Sequence, residues 1–473
     1  MTLKPNPINS LYIAQEPVFP KRVDGSFRRL KWVVMIITLT IYYLGPWIPW
    51  DRGPKLPDQA ILVDLVHRRF YFFWIEIWPH EFYFVAGLLI MAGLGLFLFT
   101  SALGRVWCGY ACPQTVWTDL FILVERWVEG DRNARLRLFH AKWTLKKWRL
   151  RLMKWMIWIV ISIGTGGAWV FYFMDASDLM RDLWAFNANP VMYGSISFLA
   201  LTTFVFGGFM REQICIYMCP WPRIQAAMMD VETLTVAYRS WRGEPRGKKR
   251  LSEHGDCIDC KACVNVCPMG IDIREGQQLE CITCALCIDA CDDVMAKIGR
   301  DRGLIDYLAL VDETYERSGR PPVAASRHIL RLRTSLYGVL WSLIGIGMVY
   351  ALFIRSDIDV TVRPVRNPSF IVQSDGTIRN IYEARLRNKA GEDRLFHLSI
   401  GGGEDFELKL EALGSDVAVK VPADSTYLQR FYLSVPRDHP AAKGSLTPLK
   451  LWVNDVLSGS RASSKTIFNG VKK

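Results

Sequence analysis

Eight cysteines in the middle of the chain occur in two runs of the same spacing. The runs are Cys257, Cys260, Cys263 and Cys267, then Cys281, Cys284, Cys287 and Cys291. Two residues between successive cysteines let three thiolates surround one 4Fe-4S cluster, while the fourth cysteine of each run reaches the other cluster. We therefore predict two clusters, with the ligand sets Cys257, Cys260, Cys263, Cys291 and Cys281, Cys284, Cys287, Cys267. The predicted chemistry is one-electron transfer.

A zinc site is the main alternative for closely spaced cysteines. Zinc motifs place two cysteine pairs on either side of a long spacer or add histidine ligands. Here a third cysteine follows each pair after only two residues, which favours the clusters. One position departs from the repeat, because Asp292 stands where Pro268 follows the first run, but this removes no ligand.

Four further cysteines form two copies of a Cys-x-x-x-Cys-Pro motif. The copies are Cys108 and Cys112 after Arg105, and Cys215 and Cys219 after Arg211. Each copy follows an apolar segment, so the two segments form an internal repeat. Residues four apart share a helix face, and soft thiolates prefer Cu(I), zinc or iron-sulfur centres. We predict that the four cysteines line one redox or metal pocket, with Met218 as a further soft ligand.

Two other interpretations of these four cysteines stay open. Buried thiols also pack as small apolar side chains, and closely placed pairs can form reversible disulfides. The arginine before each motif favours thiolates electrostatically, although it also fits a simple membrane boundary.

The composition indicates a membrane protein. Of 473 residues, 51% are hydrophobic, and the mean hydropathy is +0.12. A membrane helix needs about 20 apolar residues. Five segments qualify, at approximately 30–50, 82–103, 153–174, 190–210 and 336–354.

Lys and Arg at the ends of these segments predict their orientation. Basic residues are concentrated at 21–31, 126–154 and 211–250, which places these parts in the cytoplasm. An odd number of spans then places the C-terminal part outside. All twelve cysteines precede this part, so no disulfide framework is indicated. Trp143, Trp148 and Trp155 among basic residues suggest a helix at the lipid headgroups before the third span, although a basic flank alone explains them equally well.

The part of the chain after residue 355 has a different pattern. Short stretches with period-two alternation predict an antiparallel β-sandwich. They lie at 360–362, 384–386, 395–400, 407–410, 417–421, 429–435 and 449–453. Because this part has no cysteine, we interpret it as a docking or structural module.

Several function classes are disfavoured. The seven histidines lie outside the apolar segments, so axial ligands for membrane haem are missing. No G-x-G-x-x-G fingerprint indicates a nicotinamide or flavin domain. The net charge of +12 fits the membrane flanks, and no nucleic-acid signature accompanies it. The electrons must therefore come from an external donor, which the sequence does not identify.

The order of these motifs resembles the cytochrome c oxidase accessory protein family, called CcoG, FixG or RdxA in different bacteria. The resemblance covers essentially the whole chain. It implies a multi-domain membrane protein with a five-span helical bundle, an inserted double-cluster ferredoxin-like domain and a C-terminal immunoglobulin-like β-sandwich. The expected divisions are a cytoplasmic tail at 1–29, four spans at 30–210, the cluster domain at 211–334, the fifth span at 335–355 and a periplasmic sandwich at 356–473.

The resemblance also implies a function. Members are expected in the bacterial inner membrane, where they reduce Cu(II) to Cu(I) for assembly of cbb3-type cytochrome oxidase. The clusters would serve as cofactors and Cys108, Cys112, Cys215 and Cys219 as the copper site. Membrane lipid, oxidase assembly factors and copper-transfer proteins are the expected partners, and a homodimer is one open option. The alternatives are an electron-transfer subunit that passes quinol electrons to a partner reductase, and an assembly scaffold whose clusters sense redox state.

Overall fold

The computed structural model describes residues 17–53, 56–247, 255–321, 323–401, 406–411 and 418–471. Most of the predicted N-terminal tail, residues 1–16, therefore lies outside the described residues, as do the basic residues 248–250, His254 and Val417. The chain divides into two compact units. The first comprises the chain up to Trp50 and Gln59–Ile346, and the second comprises Asp51–Asp58 and the chain from Gly347 onward. Each unit is described by itself.

Five helices in the described part of the chain are long and apolar enough to cross a membrane. They are Ser26–Trp47, Tyr83–Leu103, Leu145–Val170, Pro190–Met210 and Leu332–Phe353. All five predicted spans are therefore confirmed by length and composition. The first, third and fifth begin four to eight residues before their predicted starts, because Lys and Arg side chains continue each helix beyond its apolar core.

The helices of the first unit are α1 to α15, the last of which runs on into the second unit. They are α1 Ser26–Leu44, α2 Tyr83–Leu103, α3 Val106–Tyr110, α4 Pro113–Glu129, α5 Arg132–His140, α6 Leu145–Val170, α7 Ala176–Trp184, α8 Pro190–Thr203, α9 Trp221–Met228, α10 Ser240–Gly243, α11 Ala262–Val266, α12 Leu286–Ile298, α13 Leu310–Arg317, α14 Ala325–Ile329 and α15 Leu332–Phe353. Two π-helical segments, Phe204–Met210 and Ile214–Met218, follow α8. Three short 3₁₀ segments occur at Gly45–Trp47, Pro79–Glu81 and Ile273–Glu275.

The predicted surface helix before the third span is wrong. Trp148 and Trp155 lie within α6, which runs without interruption from Leu145 to Val170. Thr144 caps its first turn by accepting a hydrogen bond from the amide of Lys147 at 3.3 Å. A good N-cap and a run of helix-favouring Lys, Arg and Leu residues extend the span into the basic segment.

Two small sheets belong to the first unit. Strands β1 Ile61–Asp64, β2 Arg69–Phe72 and β3 Ile75–Ile77 form an antiparallel meander. Strands β4 Thr235–Tyr238 and β5 Ile305–Leu308 pair in antiparallel fashion on either side of the cysteine runs. The β4–β5 ribbon packs with α12 around one apolar core, so the two cysteine runs are enclosed by elements that precede and follow them.

The second unit is a β-sandwich, as predicted. One sheet has the order β10 (Glu407–Leu410), β12 (Ser425–Val435), β8 (Ile378–Asn388), β6 (Ile358–Pro364), with β7 (Ile371–Val372) on β8. The other has the order β11 (Ala418–Val421), β9 (Arg394–Gly401), β13 (Leu446–Asp455), β14 (Arg461–Asn469). A short helix, α16 (Pro440–Lys443), precedes β13. Strand β14 was not predicted, because its inward side chains include the polar Thr466 as well as Phe468.

The first membrane helix is capped by the cluster domain. Gly25 precedes α1 and offers no capping side chain. Instead, the Asp289 carboxylate on α12 accepts hydrogen bonds from the amides of Phe27 at 3.2 Å and Arg28 at 2.7 Å. A Cβ on Gly25 would lie 2.2 Å from Asp289 Cγ, so only glycine allows this approach. This contact joins the helix bearing Cys287 and Cys291 to the end of a membrane span.

We expect Asp289→Ala to lower stability by about 1–3 kcal/mol, because two helix-end amides lose their acceptor and one is buried. Heating the detergent-solubilised protein while recording cluster absorbance measures the loss. Asp293→Ala on the same helix is the matched control, since the Asp293 side chain is 55% exposed and pairs only with exposed Lys297. Equal effects of both substitutions would contradict a capping role for Asp289.

Candidate iron-sulfur and thiol centre

Two cavities in the first unit are lined by the predicted ligand sets. One is lined by Cys267, Cys281, Cys284 and Cys287, together with Cys263 and aliphatic side chains. The other is lined by Cys257, Cys260, Cys263 and Cys291. The fourth cysteine of each run thus lies with the first three of the other run. This arrangement is the one that the cross-over prediction requires.

The backbone around the middle cysteine of each run has the same unusual conformation. Asp259 and Lys261 flank Cys260, and Thr283 and Ala285 flank Cys284, and all four flanking residues have positive φ angles between 53° and 60°. Left-handed non-glycine residues are uncommon and concentrate at functional sites. A left-handed residue leading into a helical turn forms a concave nest of amides that suits an anionic group. Helices α11 and α12 begin directly after Lys261 and Ala285.

Four thiols of these cavities are protonated at neutral pH unless a metal binds them. Burial raises the pKa of Cys267 and Cys291 to about 12 and that of Cys263 and Cys281 to about 11. The neighbouring thiols contribute to the raised pKa of Cys267 and Cys291. Deprotonation of such thiols requires the charge of a bound metal. In the described residues no three His, Cys, Asp or Glu side chains converge on a single ion. Four thiols spread around a cavity fit a multi-iron cluster, which supplies one-electron chemistry when bound.

Asp292, the residue that departs from the Cys-Pro pattern, has a structural role. Its carboxylate accepts a hydrogen bond from the amide of Gly303 at 2.9 Å. This bond connects α12 to the segment that leads into β5.

The two Cys-x-x-x-Cys-Pro copies share one local geometry. In the first copy the amide of Cys112 donates to the carbonyl of Trp107 at 2.9 Å, and in the second the amide of Cys219 donates to that of Ile214 at 2.8 Å. Both second cysteines are extended, with ψ of 129° and 124°, as a following proline requires. The internal repeat is therefore present in the backbone.

The expectation that each pair shares the face of a regular helix is wrong. Cys108 lies in α3, which ends at Tyr110, and Cys112 precedes α4. Cys215 lies in the π-helical segment Ile214–Met218, and Cys219 follows it. The proline after each second cysteine ends the helical turn. The amide of that cysteine then donates to the carbonyl five residues earlier instead of four.

The four thiols nevertheless lie near one another. Burial and the charges of Cys112, Cys108 and Cys219 raise the pKa of Cys215 to about 12. The pKa of Cys108 is also raised by burial, and its thiol donates a hydrogen bond to Gln225 Oε1 at 3.1 Å. As placed, the four do not form a ligand set for one ion. The Met218 side chain is 54% exposed, so its predicted ligand role stays a prediction.

The first of these motifs touches the second cysteine run directly. A Cβ on Gly109 would lie 2.6 Å from the Ile282 carbonyl oxygen and 3.0 Å from Cys284 Cα. The Tyr110 hydroxyl donates to the carbonyl of Cys284 at 3.2 Å. Cys108 and Cys215 both pack against the apolar cluster that contains Cys284. The membrane-edge thiols are therefore neighbours of the cavity lined by Cys267, Cys281, Cys284 and Cys287.

A buried charge network, missed in the sequence analysis, supports this region. The Glu125 carboxylate of α4 pairs with Arg135, Arg211 and Lys154, the last at 3.3 Å. Glu125, Arg135 and Lys154 have side chains at most 3% exposed. Arg211, which precedes the second motif, is thereby anchored. The sequence signal was the presence of Glu125 among apolar residues of an amphipathic helix.

Comparison with known proteins identifies the family. The chain is 64% identical to protein RdxB of Cereibacter sphaeroides, over 99% of both chains, and 59% identical to protein RdxA of the same organism, over 98% of this chain and 99% of the relative. This chain belongs to the FixG/RdxA family. It is also 51% identical to the nitrogen fixation protein FixG of Rhizobium meliloti, over 90% of this chain and 88% of that protein.

Family profiles match three parts of the chain. A 4Fe-4S dicluster domain matches residues 210–309, and an Ig-like fold at the C-terminus of FixG matches residues 348–471. A 4Fe-4S binding domain matches residues 84–133, which contain Cys108 and Cys112. The crystal structure of a FixG-related protein from Vibrio parahaemolyticus covers 25% of this chain and 100% of its own at 14% identity, with a TM-score of 0.22. This FixG/RdxA protein is thus an iron-sulfur membrane protein with an Ig-like C-terminal unit, and the predicted family and fold class are confirmed.

Proposed function

We propose that this FixG/RdxA protein reduces Cu(II) to Cu(I) at the thiols of Cys108, Cys112, Cys215 and Cys219, for assembly of cbb3-type cytochrome oxidase. The observation that carries the proposal is the contact between the first motif and the second cysteine run, where Gly109 lies against Cys284. Electrons held at the second run would have only a short distance to travel to copper at the thiols. Each Cu(II) takes up one electron.

The residues of the motifs have separate tasks in this proposal. Thiolates stabilise Cu(I) over Cu(II) because they are soft ligands. Gln225 and Arg105 position the Cys108 thiol, and Thr115 fixes its backbone by donating to the Cys108 carbonyl at 2.6 Å. Copper binding must displace thiol protons, so it should become tighter as the pH rises.

The remaining parts of the proposal concern location and partners. We place the clusters in the cytoplasm and the C-terminal unit in the periplasm of the bacterial inner membrane, on the basis of the basic flanks. Copper-transfer proteins and oxidase assembly factors would then receive Cu(I).

We expect the quadruple variant in which Cys108, Cys112, Cys215 and Cys219 become Ser to lose Cu(II) reduction by about 100-fold or more, since hydroxyls are poor Cu(I) ligands. The Cys215→Ser, Cys219→Ser double variant should lose reduction but keep partial copper binding. Anaerobic reduction assays with a Cu(I)-specific chelator and cluster spectra measure these outcomes. Tyr217→Ala is the matched control, because this 71% exposed side chain lies between the two cysteines.

Continued Cu(II) reduction by a quadruple variant with intact clusters would overturn the shared copper pocket. Loss of reduction together with loss of cluster spectra would instead assign the thiols a structural role.

A second candidate is an electron-transfer subunit that hands electrons to a partner reductase. It is favoured by the 4Fe-4S binding description of residues 84–133, because that match contains Cys108 and Cys112. Iron analysis separates the candidates. Two clusters correspond to about eight iron atoms per chain, and a third cluster on the membrane-edge thiols to about twelve.

A further inference from the structure

A third cavity lies beside the second cysteine run, on its outer side. It has a volume of about 200 Å³, which is below the range of about 300–1,000 Å³ typical of sites that enclose a whole small molecule, so it admits a ring system rather than a complete cofactor. We call it the outer cavity. It is bounded by the junction of α2 and α3, by the end of α9, by β4 and by residues 277–283. None of the four cysteines of the thiol pocket proposed for copper lines it, although Arg105 and α9 border both sites.

Cys281 lines both the outer cavity and the cavity of the second cysteine run. It therefore forms a shared wall. A molecule bound in the outer cavity would contact a predicted cluster ligand without passing through the rest of the domain. Such contact is the geometry needed for direct electron exchange.

The lining of the outer cavity selects the chemistry of its ligand. Met229, Val236 and Leu279 provide apolar walls, and the amides of Gln277 and Gln278 and the hydroxyl of Thr283 provide polar groups. No Asp or Glu lines it. The lining thus suits a flat, largely apolar molecule that carries oxygen acceptors, and it is unsuited to a metal cation.

Arg105 provides the one permanent charge among the residues lining this cavity. Its side chain is buried, at 3% exposure, and its Nε has no hydrogen-bond partner. Another guanidinium nitrogen donates to the Leu279 carbonyl, which holds the group at the cavity wall. An unsatisfied buried N–H costs free energy because it has lost its water without gaining a partner. A ligand oxygen at this position would remove that cost.

We propose that the outer cavity binds a planar organic electron carrier with carbonyl or enolate oxygens, and that this carrier reduces the protein at Cys281. A reduced flavin nucleotide from solvent and a quinol from the bilayer share this chemistry. Each delivers two electrons, one to each oxidised cluster. The anionic reduced flavin releases one proton to water, and a quinol releases two. The proposal is independent of which acceptor the thiols serve.

The test uses Ala226→Trp in the full-length protein. Ala226 lines the outer cavity, and the indole would fill it. The adjacent Ala227 is exposed and does not line it, so Ala227→Trp is the matched control. Leu279→Glu is a second variant of the cavity lining. Leu279 lies on a loop, and the added carboxylate would pair with Arg105 and repel an anionic carrier.

Binding is measured first, by quenching of oxidised FMN fluorescence and by competition with a short-chain ubiquinone. We expect saturable binding to the unmodified protein and to Ala227→Trp, weakened about tenfold or more in both cavity variants, which corresponds to at least about 1.4 kcal/mol. Anaerobic cluster reduction by reduced FMN or by the short-chain quinol should slow similarly. Dithionite should still reduce both clusters fully in every variant, and dithionite-driven Cu(II) reduction should be unchanged in Ala226→Trp.

The parallel measurements with FMN and with the short-chain quinone identify the carrier. Only the molecule that binds in its oxidised form should also reduce the clusters in its reduced form. Absence of binding by both FMN and the quinone would overturn the proposal. Equal rates of cluster reduction by the carrier in Ala226→Trp and Ala227→Trp would also overturn the proposal. Electrons would then enter at another surface, such as the exposed Cys260. Loss of Cu(II) reduction with dithionite would count against the copper proposal and not against this one.

Discussion

Replacing Cys267 with Ala should remove or convert the cluster on Cys281, Cys284 and Cys287 and leave the other cluster in place. The reason is spatial, because Cys267 lines the cavity of those three cysteines although it belongs to the first run. Loss of one of four thiolates leaves one iron without its protein ligand. The electron paramagnetic resonance spectrum of the reduced protein should lose one of its two signals. Cu(II) reduction should fall with it, since the second run is the one beside Gly109.

The mirror variant Cys291→Ala is the control for this experiment. Cys291 lines the cavity of Cys257, Cys260 and Cys263, so its loss should remove the other signal. Cys284→Ala supplies a reference spectrum, and it should match that of Cys267→Ala. If Cys267→Ala instead matches a Cys257→Ala spectrum, the cross-over assignment is wrong. Cys263 is not used as a reference because it lines both cavities.

The second large effect is expected at Glu125. Glu125→Gln removes the carboxylate that Arg135, Arg211 and Lys154 share. Arg135 and Arg211 lose the carboxylate with which they pair, while Lys154 keeps Glu129 at 3.0 Å. Breaking a buried ion pair by removing one partner costs about 3–5 kcal/mol. The apparent melting temperature in detergent, followed by tryptophan fluorescence, should fall accordingly. Because Arg211 leads into the second motif, the rate of Cu(II) reduction should also fall, even at temperatures at which the variant is still folded.

Two further variants make this prediction specific. Glu313→Gln removes a carboxylate whose side chain is 41% exposed and which pairs with the exposed Arg317, and it should change stability by less than about 1 kcal/mol. Adding Arg135→Met to Glu125→Gln removes one unpaired cation and should recover part of the lost stability. An unchanged melting temperature for Glu125→Gln would show that water or other groups already compensate the network.

The sequence by itself determined the features that depend on local spacing. The three-residue intervals between Cys257, Cys260 and Cys263 specify a cluster loop, because a chain of this length can present three thiolates to one cubane. The five spans followed from apolar length, and the sandwich from period-two alternation. Strand β14 was missed, since Thr466 is polar although it faces the core. Span starts were misplaced where basic residues continue a helix, as Lys146 and Lys147 do in α6.

Only the tertiary structure decided which distant residues meet. Spacing placed Cys108 and Cys112 on one helix face, but Pro113 and the packing of Gly109 against Cys284 ended that helix at Tyr110. The cap that Asp289 provides to α1 joins residues separated by more than 260 positions, and the outer cavity collects side chains from the junction of α2 and α3, from α9, from β4 and from a loop. A local pattern carries no information about such contacts, because they depend on how separate elements pack. The chemistry of each centre is therefore encoded locally, and its position beside the membrane helices is set by the fold.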